Sequence, residues 1–326
     1  MFSELDTTTF RGKRVGVVTG GDSPEREISL KTGAAFENAL RARGYDVTVY
    51  DLASDVARLV ADIPAAVIIG SHGGLGENGS LQGLLECAGI PYTGSGVLAS
   101  ALAMDKARAR EAVADVGVPV ARGLALRLSD VAMNDAQAIV ERIQGAGLKL
   151  PIVVKLNDAG SSFGVAICQS TEDVHAAISE LRVHLSDDPA SALLLEDYIE
   201  GPEYTVGFFG DTCLGAIQIT AAQAFYDYEA KYKSQQTRYD ALDEGTLHAR
   251  LEELGRLAYQ ALGCRGVARV DFKGDVTSSQ GRFLEVNTIP GMTATSLVPK
   301  MAAARGVSFE DFVELMLSGA RLDRVR

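Results

Sequence analysis

The sequence has few of the residues from which metal centres and disulfide frameworks are built. Its 326 residues include four cysteines, four histidines and no tryptophan. The cysteines lie far apart and form no CxxC pair, at positions Cys87, Cys168, Cys213 and Cys264. Isolated cysteines of this kind are typical of buried free thiols in a reducing cytoplasm. The histidines do not follow the spacing of zinc ligands, so we expect no zinc site.

Long hydrophobic runs and a surplus of basic residues are also lacking. The longest apolar stretches, residues 65–70 and 96–104, fall short of the ~18 to 20 residues of a membrane span. Residues 1–10 do not show a basic segment followed by an apolar one, so no signal peptide is predicted. The chain has 31 basic and 43 acidic residues, and this acidic balance disfavours general nucleic-acid binding. A local basic pocket for a small phosphate ligand is compatible with the net charge of −12.

Strand and helix patterns alternate through the first third of the chain. Strands are predicted at residues 14–19, 45–51 and 65–70. A helix is predicted to begin after Pro24 and to end near Gly44. This alternation indicates an α/β domain with a parallel sheet. Because ligands bind at the carboxyl ends of parallel strands, residues 20–27 and 71–80 are the loops expected to carry function.

The remaining two thirds favour an α+β arrangement. A helical region at 95–117 precedes strands at 151–156 and 165–168, which are joined by a glycine-rich loop. A strand, loop and strand in this order predict a hairpin, whereas a P-loop requires a helix after the loop. The later predicted elements are a helix at 172–185, an antiparallel meander of strands at 192–198, 204–209 and 213–219, a long polar loop at 225–240, and a helix at 247–262.

Polar side chains alternate with apolar ones along the last two predicted strands. Arg269 and Asp271 share one face of the first strand, and Glu285 and Asn287 share one face of the second. If the two strands pair antiparallel, the two polar faces coincide. Two carboxylates and an amide oxygen are ligands that suit Mg²⁺. The alternative interpretation is a solvated sheet face, because alternation alone requires only that one face be buried.

Three glycine-rich segments could place backbone N–H groups around an anion: residues 20–21, 72–76 and 160–164. Lys155 lies on the strand that enters the third segment, where its ammonium could reach a phosphate. The alternative is a solvated lysine at a strand end. His72 follows a buried strand and begins the second segment, where it is either a ligand-binding residue or a turn histidine with protein partners.

Five sequence blocks resemble the signature regions of D-alanine–D-alanine ligases, in the same order along the chain. They are Gly20-Gly21-Asp22-Ser23-Pro24-Glu25-Arg26-Glu27-Ile28-Ser29-Leu30, His72-Gly73-Gly74-Leu75-Gly76-Glu77-Asn78-Gly79, Pro91-Tyr92-Thr93-Gly94-Ser95-Gly96 with Met104-Asp105-Lys106, Phe225-Tyr226-Asp227-Tyr228-Glu229-Ala230-Lys231-Tyr232, and Glu285-Val286-Asn287-Thr288-Ile289-Pro290-Gly291-Met292-Thr293. The resemblance covers essentially the whole chain. It implies an ATP-grasp fold and an enzyme that joins two D-alanines, through a D-alanyl phosphate, for peptidoglycan precursor synthesis and hence for cell-wall formation and cell shape.

The resemblance also implies a division into three domains. Residues 1–94 would form an N-terminal parallel-sheet α/β domain that binds substrate. Residues 95–197 and 198–326 would form two domains whose antiparallel sheets enclose ATP, and residues 225–240 would be a lid. A closing lid is expected because an acyl phosphate is readily hydrolysed by water.

Roles for individual residues follow from the same resemblance. Contacts to the phosphates of ATP would come from Lys106, Lys155 and Lys231, and Ser162 would also bind the nucleotide. Glu196 would read the adenine, and Glu203 would bind the ribose. Two Mg²⁺ ions, replaceable by Mn²⁺, would be held by Asp271, Glu285 and Asn287, and a monovalent cation is a further candidate. The first D-alanine would contact Glu25 and His72, and the second would be held by Ser296 and Leu297. Arg269 and the Gly291 backbone N–H would stabilise the oxyanion, and Ser161 and Tyr232 would bond with Glu25 and hold the lid closed. A cytoplasmic homodimer is implied.

Some positions depart from the commonest pattern of these ligases. Asp197 stands where a lysine often follows the adenine-reading glutamate. Residues 156–159 replace a more usual charged stretch that contains proline, and residues 294–295 replace a common Ser-His pair. Two alternatives follow. One is a related ligase that uses D-lactate, D-serine or another amino acid as acceptor. The other is a catalytically silent ATP-binding regulator, which the intact set of charged residues disfavours.

Overall fold

The N-terminal part of the chain forms a three-stranded parallel sheet. In the computed structural model, the residues described are 7–127, 135–160, 164–185, 191–220, 237–293 and 295–323. The strand order is β2-β1-β3. The elements are β1 (Arg14–Thr19), α1 (Arg26–Ala42), β2 (Asp46–Asp51), α2 (Val56–Asp62), β3 (Val67–Ile69), α3 (Gly74–Glu77) and α4 (Ser80–Ala88). The predicted α/β pattern and its parallel pairing are confirmed.

The helical region predicted at 95–117 consists of two helices, α5 (Val97–Met104) and α6 (Lys106–Asp115). The break falls at Asp105, whose backbone is extended and whose carboxylate accepts a hydrogen bond from the Arg108 N–H at 3.1 Å. An aspartate in this conformation is a favoured N-cap, so it starts a new helix rather than continuing the old one. The helices pack against the sheet of the C-terminal part, because Ala109 and Val113 share a core with its strands.

A four-stranded antiparallel sheet forms the central part, in the order β4-β7-β5-β6. The elements are β4 (Gly123–Arg127), α7 (Ala136–Gly145), β5 (Ile152–Leu156), β6 (Val165–Cys168), α8 (Thr171–Leu181) and β7 (Ala192–Asp197). The predicted hairpin of β5 and β6 is confirmed. Helix α8 is shorter than predicted, since a 3₁₀ turn follows it, and its start is fixed by a capping box between Ser170 and Asp173.

The C-terminal part contains a five-stranded antiparallel sheet in the order β10-β9-β8-β11-β12. Its elements are β8 (Glu203–Phe209), β9 (Thr212–Thr220), β10 (Arg238–Ala241), α9 (Thr246–Ala261), β11 (Val267–Lys273), β12 (Arg282–Asn287), α10 (Leu297–Ala304) and α11 (Phe309–Ser318). The predicted three-strand meander is wrong at its first strand. Both edges of β7 are already paired, with β4 and β5, so β8 pairs instead with β9 and β11.

Two smaller predictions are corrected. The end of the polar segment 225–240 is a strand, because β10 pairs with β9, while residues 221–236 lie outside the described part of the chain. Cys87 is exposed rather than buried, since the face of α4 that packs inward carries Leu81 and Leu85. The thiols are free as predicted, and burial raises the pKa of Cys168 to about 11. No helix among the described residues is long and apolar enough to cross a membrane.

Candidate active site

A cleft of about 1020 Å³, open to solvent, separates the central sheet from the C-terminal sheet. Apolar walls come from both sheets, including Val153, Leu156 and Leu284. Charged side chains line the same space, at Lys106, Lys155, Glu196, Asp197, Glu203, Arg269, Asp271, Lys273 and Glu285. A mostly apolar slot with converging charges is the usual form of a small-molecule site.

The polar faces of β11 and β12 coincide, as the alternation predicts. Arg269 lies opposite Asn287, and Asp271 lies opposite Glu285, in the antiparallel register. The guanidinium of Arg269 bonds Asp271 through two nitrogens, with Nη2 donating to Oδ2 at 2.8 Å and Nε to Oδ1 at 2.9 Å. Arg269 and Asp271 are 7% and 6% exposed, so the interpretation as a solvated sheet face is wrong here.

The donor set on these strands consists of oxygen atoms. Asp271 and Glu285 supply carboxylates and Asn287 supplies an amide oxygen, which accepts the Ile289 N–H at 3.1 Å. Within the described ranges, no group of three or more His, Cys, Asp or Glu side chains is placed to hold a metal. Two carboxylates and an amide fit Mg²⁺, which fills the rest of its shell with water and phosphate oxygens rather than with protein ligands.

Lys155 and Glu196 form a buried ion pair on the wall of the cleft. The ammonium of Lys155 donates directly to Oε1 of Glu196 across neighbouring strands β5 and β7. Lys155 is 8% exposed and Glu196 is 6% exposed, so the interpretation of Lys155 as a solvated residue is wrong. Buried charges of this kind require partners because desolvation is costly. The pair sits where an incoming ligand would contact both groups.

Lys106 lies at the junction of two pockets. It is the first residue of α6, and its ammonium donates to the Ala159 carbonyl at 2.6 Å and lies 3.3 Å from Oε2 of Glu285. Lys106 and Glu285 line the large cleft and also a second, smaller pocket of about 380 Å³. The two spaces therefore meet at this ion pair. Groups bound in the two pockets would lie close together at this point.

The second pocket brings together loops from all three sheets. Glu25 lies at the N-cap of α1, but its side chain makes no capping hydrogen bond. Its Oε2 instead lies against two glycines: a Cβ added at Gly160 would stand 2.6 Å from it, and one at Gly73 would stand 2.8 Å from it. The other polar residues of this pocket are Glu77, Lys106, Glu285, Asn287 and Thr288. Glu25 therefore shares a pocket with Glu285 and Asn287, two of the three residues assigned to the metal site.

Glu77 is a residue of this pocket to which the sequence reasoning assigned no role. Its carboxylate accepts the Gly73 N–H at 3.0 Å and the Ile289 N–H at 3.3 Å, and so ties its own loop to a residue 212 positions away in the chain. Burial and, after it, the nearby charge of Glu25 raise the pKa of Glu77 to about 7, whereas the hydrogen bonds from Gly73 and Ile289 act in the opposite direction. The sequence contains a signal for a role of Glu77, because this residue lies inside the His72–Gly79 block that resembles the ligase family.

His72 is held by protein groups on both ring nitrogens. Nδ1 donates to the Ile289 carbonyl at 2.8 Å, and Nε2 lies 2.9 Å from the Thr32 hydroxyl. The residue is 4% exposed. This is the arrangement of a turn histidine with protein partners, and it ties the same Ile289 that Glu77 binds. A direct contact of His72 with substrate is not part of this arrangement and stays a prediction.

The other predicted residues fall at the rims of the two pockets or outside the described chain. Glu203 lines the cleft, with Oε2 3.6 Å from the Lys273 ammonium. Ser296 lies beside Gly291, where an added Cβ would stand 3.2 Å from its hydroxyl oxygen, and Leu297 borders the cleft. Asp197, which departs from the ligase pattern, lines the cleft 4.0 Å from Arg122. Predictions for Ser161, Ser162, Lys231 and Tyr232 concern residues outside the described ranges.

Comparison with known proteins gives a consistent result over the full length. The family described as "D-ala D-ala ligase C-terminus" matches residues 112–318. The D-alanine–D-alanine ligase of Anaeromyxobacter sp. (strain K) is 44% identical over 322 residues, which are 97% of this chain and 99% of that protein. The ligase of Geobacter sulfurreducens is 42% identical over 325 residues, which are 98% of this chain and 96% of that protein.

Solved structures agree with the sequence relatives. The D-alanine–D-alanine ligase of Bacillus anthracis, complexed with ATP, superposes with a TM-score of 0.78 at 27% identity, covering 94% of this chain and 97% of that one. The VanG D-Ala:D-Ser ligase of Enterococcus faecalis also gives a TM-score of 0.78 at 27% identity, covering 94% of this chain and 98% of that one.

Proposed function

The chain belongs to the D-alanine–D-alanine ligase family of ATP-grasp proteins, and we propose that it joins two D-alanines into D-alanyl-D-alanine, with release of ADP and phosphate. The observation that carries this proposal is the meeting of two pockets at Lys106 and Glu285. The larger pocket is suited to a nucleotide and the smaller to an amino acid, so the terminal phosphate and the substrate carboxylate would meet there.

ATP would occupy the cleft between the two antiparallel sheets. Glu196 and the backbone that follows it would form hydrogen bonds with the adenine, and Glu203 would bind the ribose hydroxyls. Lys106 and Lys155 would contact the phosphates, as charge-assisted donors to anionic oxygens. Ser162 and Lys231 are proposed to join them, although they lie outside the described ranges. Asp197 adds a negative charge where the family often has a lysine.

Asp271, Glu285 and Asn287 would hold the two Mg²⁺ ions, for which Mn²⁺ is a substitute. Bound there, the metal would neutralise charge on the transferring phosphate and polarise its oxygens. The fit depends on the observed chemistry of these side chains, which offer only oxygen donors on one face of β11 and β12. Lys106, 3.3 Å from Glu285, would add a fixed positive charge at the same place.

The reaction would proceed in two steps at the junction of the pockets. In the first, a carboxylate oxygen of D-alanine bonds to the γ-phosphorus, and the bond from phosphorus to the ADP oxygen breaks. The ammonium of this D-alanine would pair with Glu25. In the second, the amine of the other D-alanine, having lost a proton, bonds to the acyl carbon, and phosphate leaves. Arg269 and the Gly291 N–H would stabilise the oxyanion formed in this step.

The test is ADP and phosphate release with D-alanine, L-alanine, D-serine and D-lactate as separate acceptors, with the product identified by mass. We expect D-alanyl-D-alanine from D-alanine alone. Preferential use of D-serine or D-lactate as the acceptor would instead favour the related ligases, of which the VanG neighbour is an example. ATP binding without any turnover would favour a silent regulator.

Acceptor choice is proposed to depend on Tyr232, which together with Ser161 and Glu25 would hold the lid over the site. A hydroxyl network there would favour an amine, which must lose a proton before it attacks. We expect Tyr232→Phe to lose between a few-fold and ~100-fold in peptide formation, the range for one unpaired buried partner. It should also form some D-lactate ester at low pH. An unchanged acceptor ratio at every pH would remove Tyr232 from this role.

Three further features are proposed from family membership. The protein would be a cytoplasmic homodimer, and its dependence on ATP and its free cysteines support the location. Two exposed leucines on adjacent helices, Leu75 on α3 and Leu98 on α5, support a dimer surface. Light scattering of the wild type and of Leu98→Glu tests the dimer. Activity measured with Na⁺ or K⁺ as the only monovalent cation tests whether such a cation contributes.

A further inference from the structure

Arg110 lies behind the wall of the nucleotide cleft and does not line it. It occupies the buried face of α6 with Ala109 and Val113, and it is 8% exposed. Its Nη2 donates to the Ala121 carbonyl, and its Nη1 lies 3.7 Å from Oε2 of Glu196. Burial of an arginine on an apolar helix face is costly unless the guanidinium is paired with an opposite charge and hydrogen-bonded.

Arg110, Glu196 and Lys155 form one buried cluster of two cations and one anion. Lys155 donates to one carboxylate oxygen of Glu196, and Arg110 stands beside the other. The Nε of Arg110 has no hydrogen-bond partner among the described residues. With two cations and one anion, the cluster carries one positive charge in excess. That excess charge faces the cleft through Lys155, because Arg110 is on the far side of Glu196.

The strand pairing leaves room for the Arg110 side chain. Gly123 on β4 lies directly opposite Glu196 on β7. A Cβ added at Gly123 would stand 2.2 Å from Nη1 of Arg110. The absence of a side chain at Gly123 thus lets the guanidinium occupy its observed position beside the carboxylate. The contact is built into the sheet and does not result from a flexible surface side chain.

We propose that Arg110 is a positioning residue that neutralises Glu196 and thereby leaves the Lys155 ammonium available to the phosphates of ATP. The inference deepens the proposed function, since it assumes that ATP binds in the cleft. Without Arg110, Lys155 and Glu196 would form a neutral buried pair, and the phosphates would compete with Glu196 for Lys155. With Arg110, the carboxylate keeps a cation when Lys155 turns to the phosphate.

The experiment measures ADP and adenosine binding by calorimetry for the wild type and for Arg110→Met. Adenosine uses the adenine and ribose contacts, whereas ADP also needs a cation for its phosphates. We expect ADP binding to weaken roughly tenfold or more, the effect of losing one charge-assisted contact. Adenosine binding should change less than about threefold. Arg110→Lys, which keeps the charge, should recover most of the ADP affinity.

A second measurement separates this role from a structural one. In the Glu196→Gln background no carboxylate competes for Lys155, so Arg110→Met should then have little effect on ADP binding. A purely structural role would cost the same in both backgrounds. Arg108→Met is the matched control, because Arg108 lies on the same helix with 62% of its side chain exposed. It should bind ADP like the wild type.

The outcomes distinguish this inference from the proposed function. A wild type that binds neither ADP nor ATP would overturn the proposed function, and the inference with it. A wild type that binds ADP, together with an Arg110→Met variant of equal ADP affinity, would overturn the inference alone. Parallel losses of ADP and adenosine binding, or equal losses in both Glu196 backgrounds, would also overturn it.

Discussion

Arg269 and Asp271, two positions apart on β11, bind each other side by side, with Nη2 of the arginine 2.8 Å from Oδ2 of the aspartate. Alternation places both side chains on the same face of the strand, so the pair forms without any turn of the backbone. The arginine proposed to stabilise the oxyanion thus also orients an aspartate proposed to bind metal. Substitutions that keep the charge at either residue should therefore affect catalysis more than folding.

The first prediction concerns Arg269→Lys. Lysine keeps the charge but cannot make two parallel bonds to the Asp271 carboxylate, so it places its charge less accurately. We expect kcat to fall ~100- to 1,000-fold, the usual loss for one oxyanion donor. The KM for ATP should change little. Arg282→Lys is the control, because the side chain of Arg282 bonds, among the residues that the structure describes, only the Ser279 and Gly281 carbonyls. An unchanged kcat in Arg269→Lys would exclude the proposed role.

The second prediction concerns Glu285→Gln. This substitution keeps the size of the side chain but removes the charge that would hold Mg²⁺ at the transferring phosphate. Mg²⁺ held there would stabilise the negative charge on the phosphate most strongly in the transition state. The kcat should therefore fall more than D-alanine binding weakens. The Mg²⁺ concentration for half-maximal rate should also rise. Steady-state rates across a Mg²⁺ series measure both.

Glu200→Gln serves as the control for this variant, since Glu200 is exposed at the surface. Its Mg²⁺ dependence should match that of the wild type. Should Glu285→Gln show the wild-type kcat and Mg²⁺ dependence, Glu285 would not belong to the metal site. Its 3.3 Å contact with Lys106 would then be only a structural ion pair.

The third prediction uses the close approach of Gly160 to Glu25. A methyl group at position 160 would stand 2.6 Å from Oε2 of Glu25, so Gly160→Ala should displace this flexible carboxylate without disturbing the backbone. We expect the KM for the first D-alanine to rise and the KM for ATP to stay near the wild-type value. Gly83→Ala is the control, because no atom of the described part of the chain lies within 4 Å of its added Cβ. Equal D-alanine KM values in the two variants would separate Glu25 from substrate binding.

Local patterns were sufficient to predict the strands that carry the candidate metal site. Alternation along residues 266–272 and 282–288 indicates both the strands and the shared polar face, and the observed register places Asp271 opposite Glu285. The hairpin of β5 and β6 was also predictable from local sequence, because a glycine-rich loop joins two strand patterns. Roles such as the adenine contact of Glu196 came from the family resemblance and not from the pattern.

Contacts between distant parts of the chain were not predictable in this way. The wrong placement of β7 has this origin, because its partners β4 and β5 are chosen by packing in three dimensions and not by local sequence. Arg110 could have been noticed as a charge on the face of α6 that carries Ala109 and Val113. Nothing in the sequence, however, indicates that this face meets Glu196.

The last prediction is a pH dependence of stability that originates at Glu77. Burial, followed by the charge of Glu25, raises the pKa of Glu77 from its ordinary 4.5 to about 7. Between these pH values the folded protein holds a proton that the unfolded chain has released. Stability from this group is therefore complete below about pH 4.5 and is lost as the pH rises to about 7. At ~1.4 kcal/mol for each pKa unit, the loss amounts to about 3 kcal/mol.

Glu77→Gln should remove this dependence, because the amide does not titrate. At pH 5 the variant should be less stable than the wild type, since its amide NH₂ must face one of the two N–H donors of Gly73 and Ile289. As the pH rises to 8, the wild type should lose stability and the difference should shrink. Urea unfolding at pH 5, 6, 7 and 8, without Mg²⁺ or nucleotide, measures this difference. The exposed Glu27→Gln should parallel the wild type, and a constant gap between wild type and Glu77→Gln would show that Glu77 is ionised throughout this range.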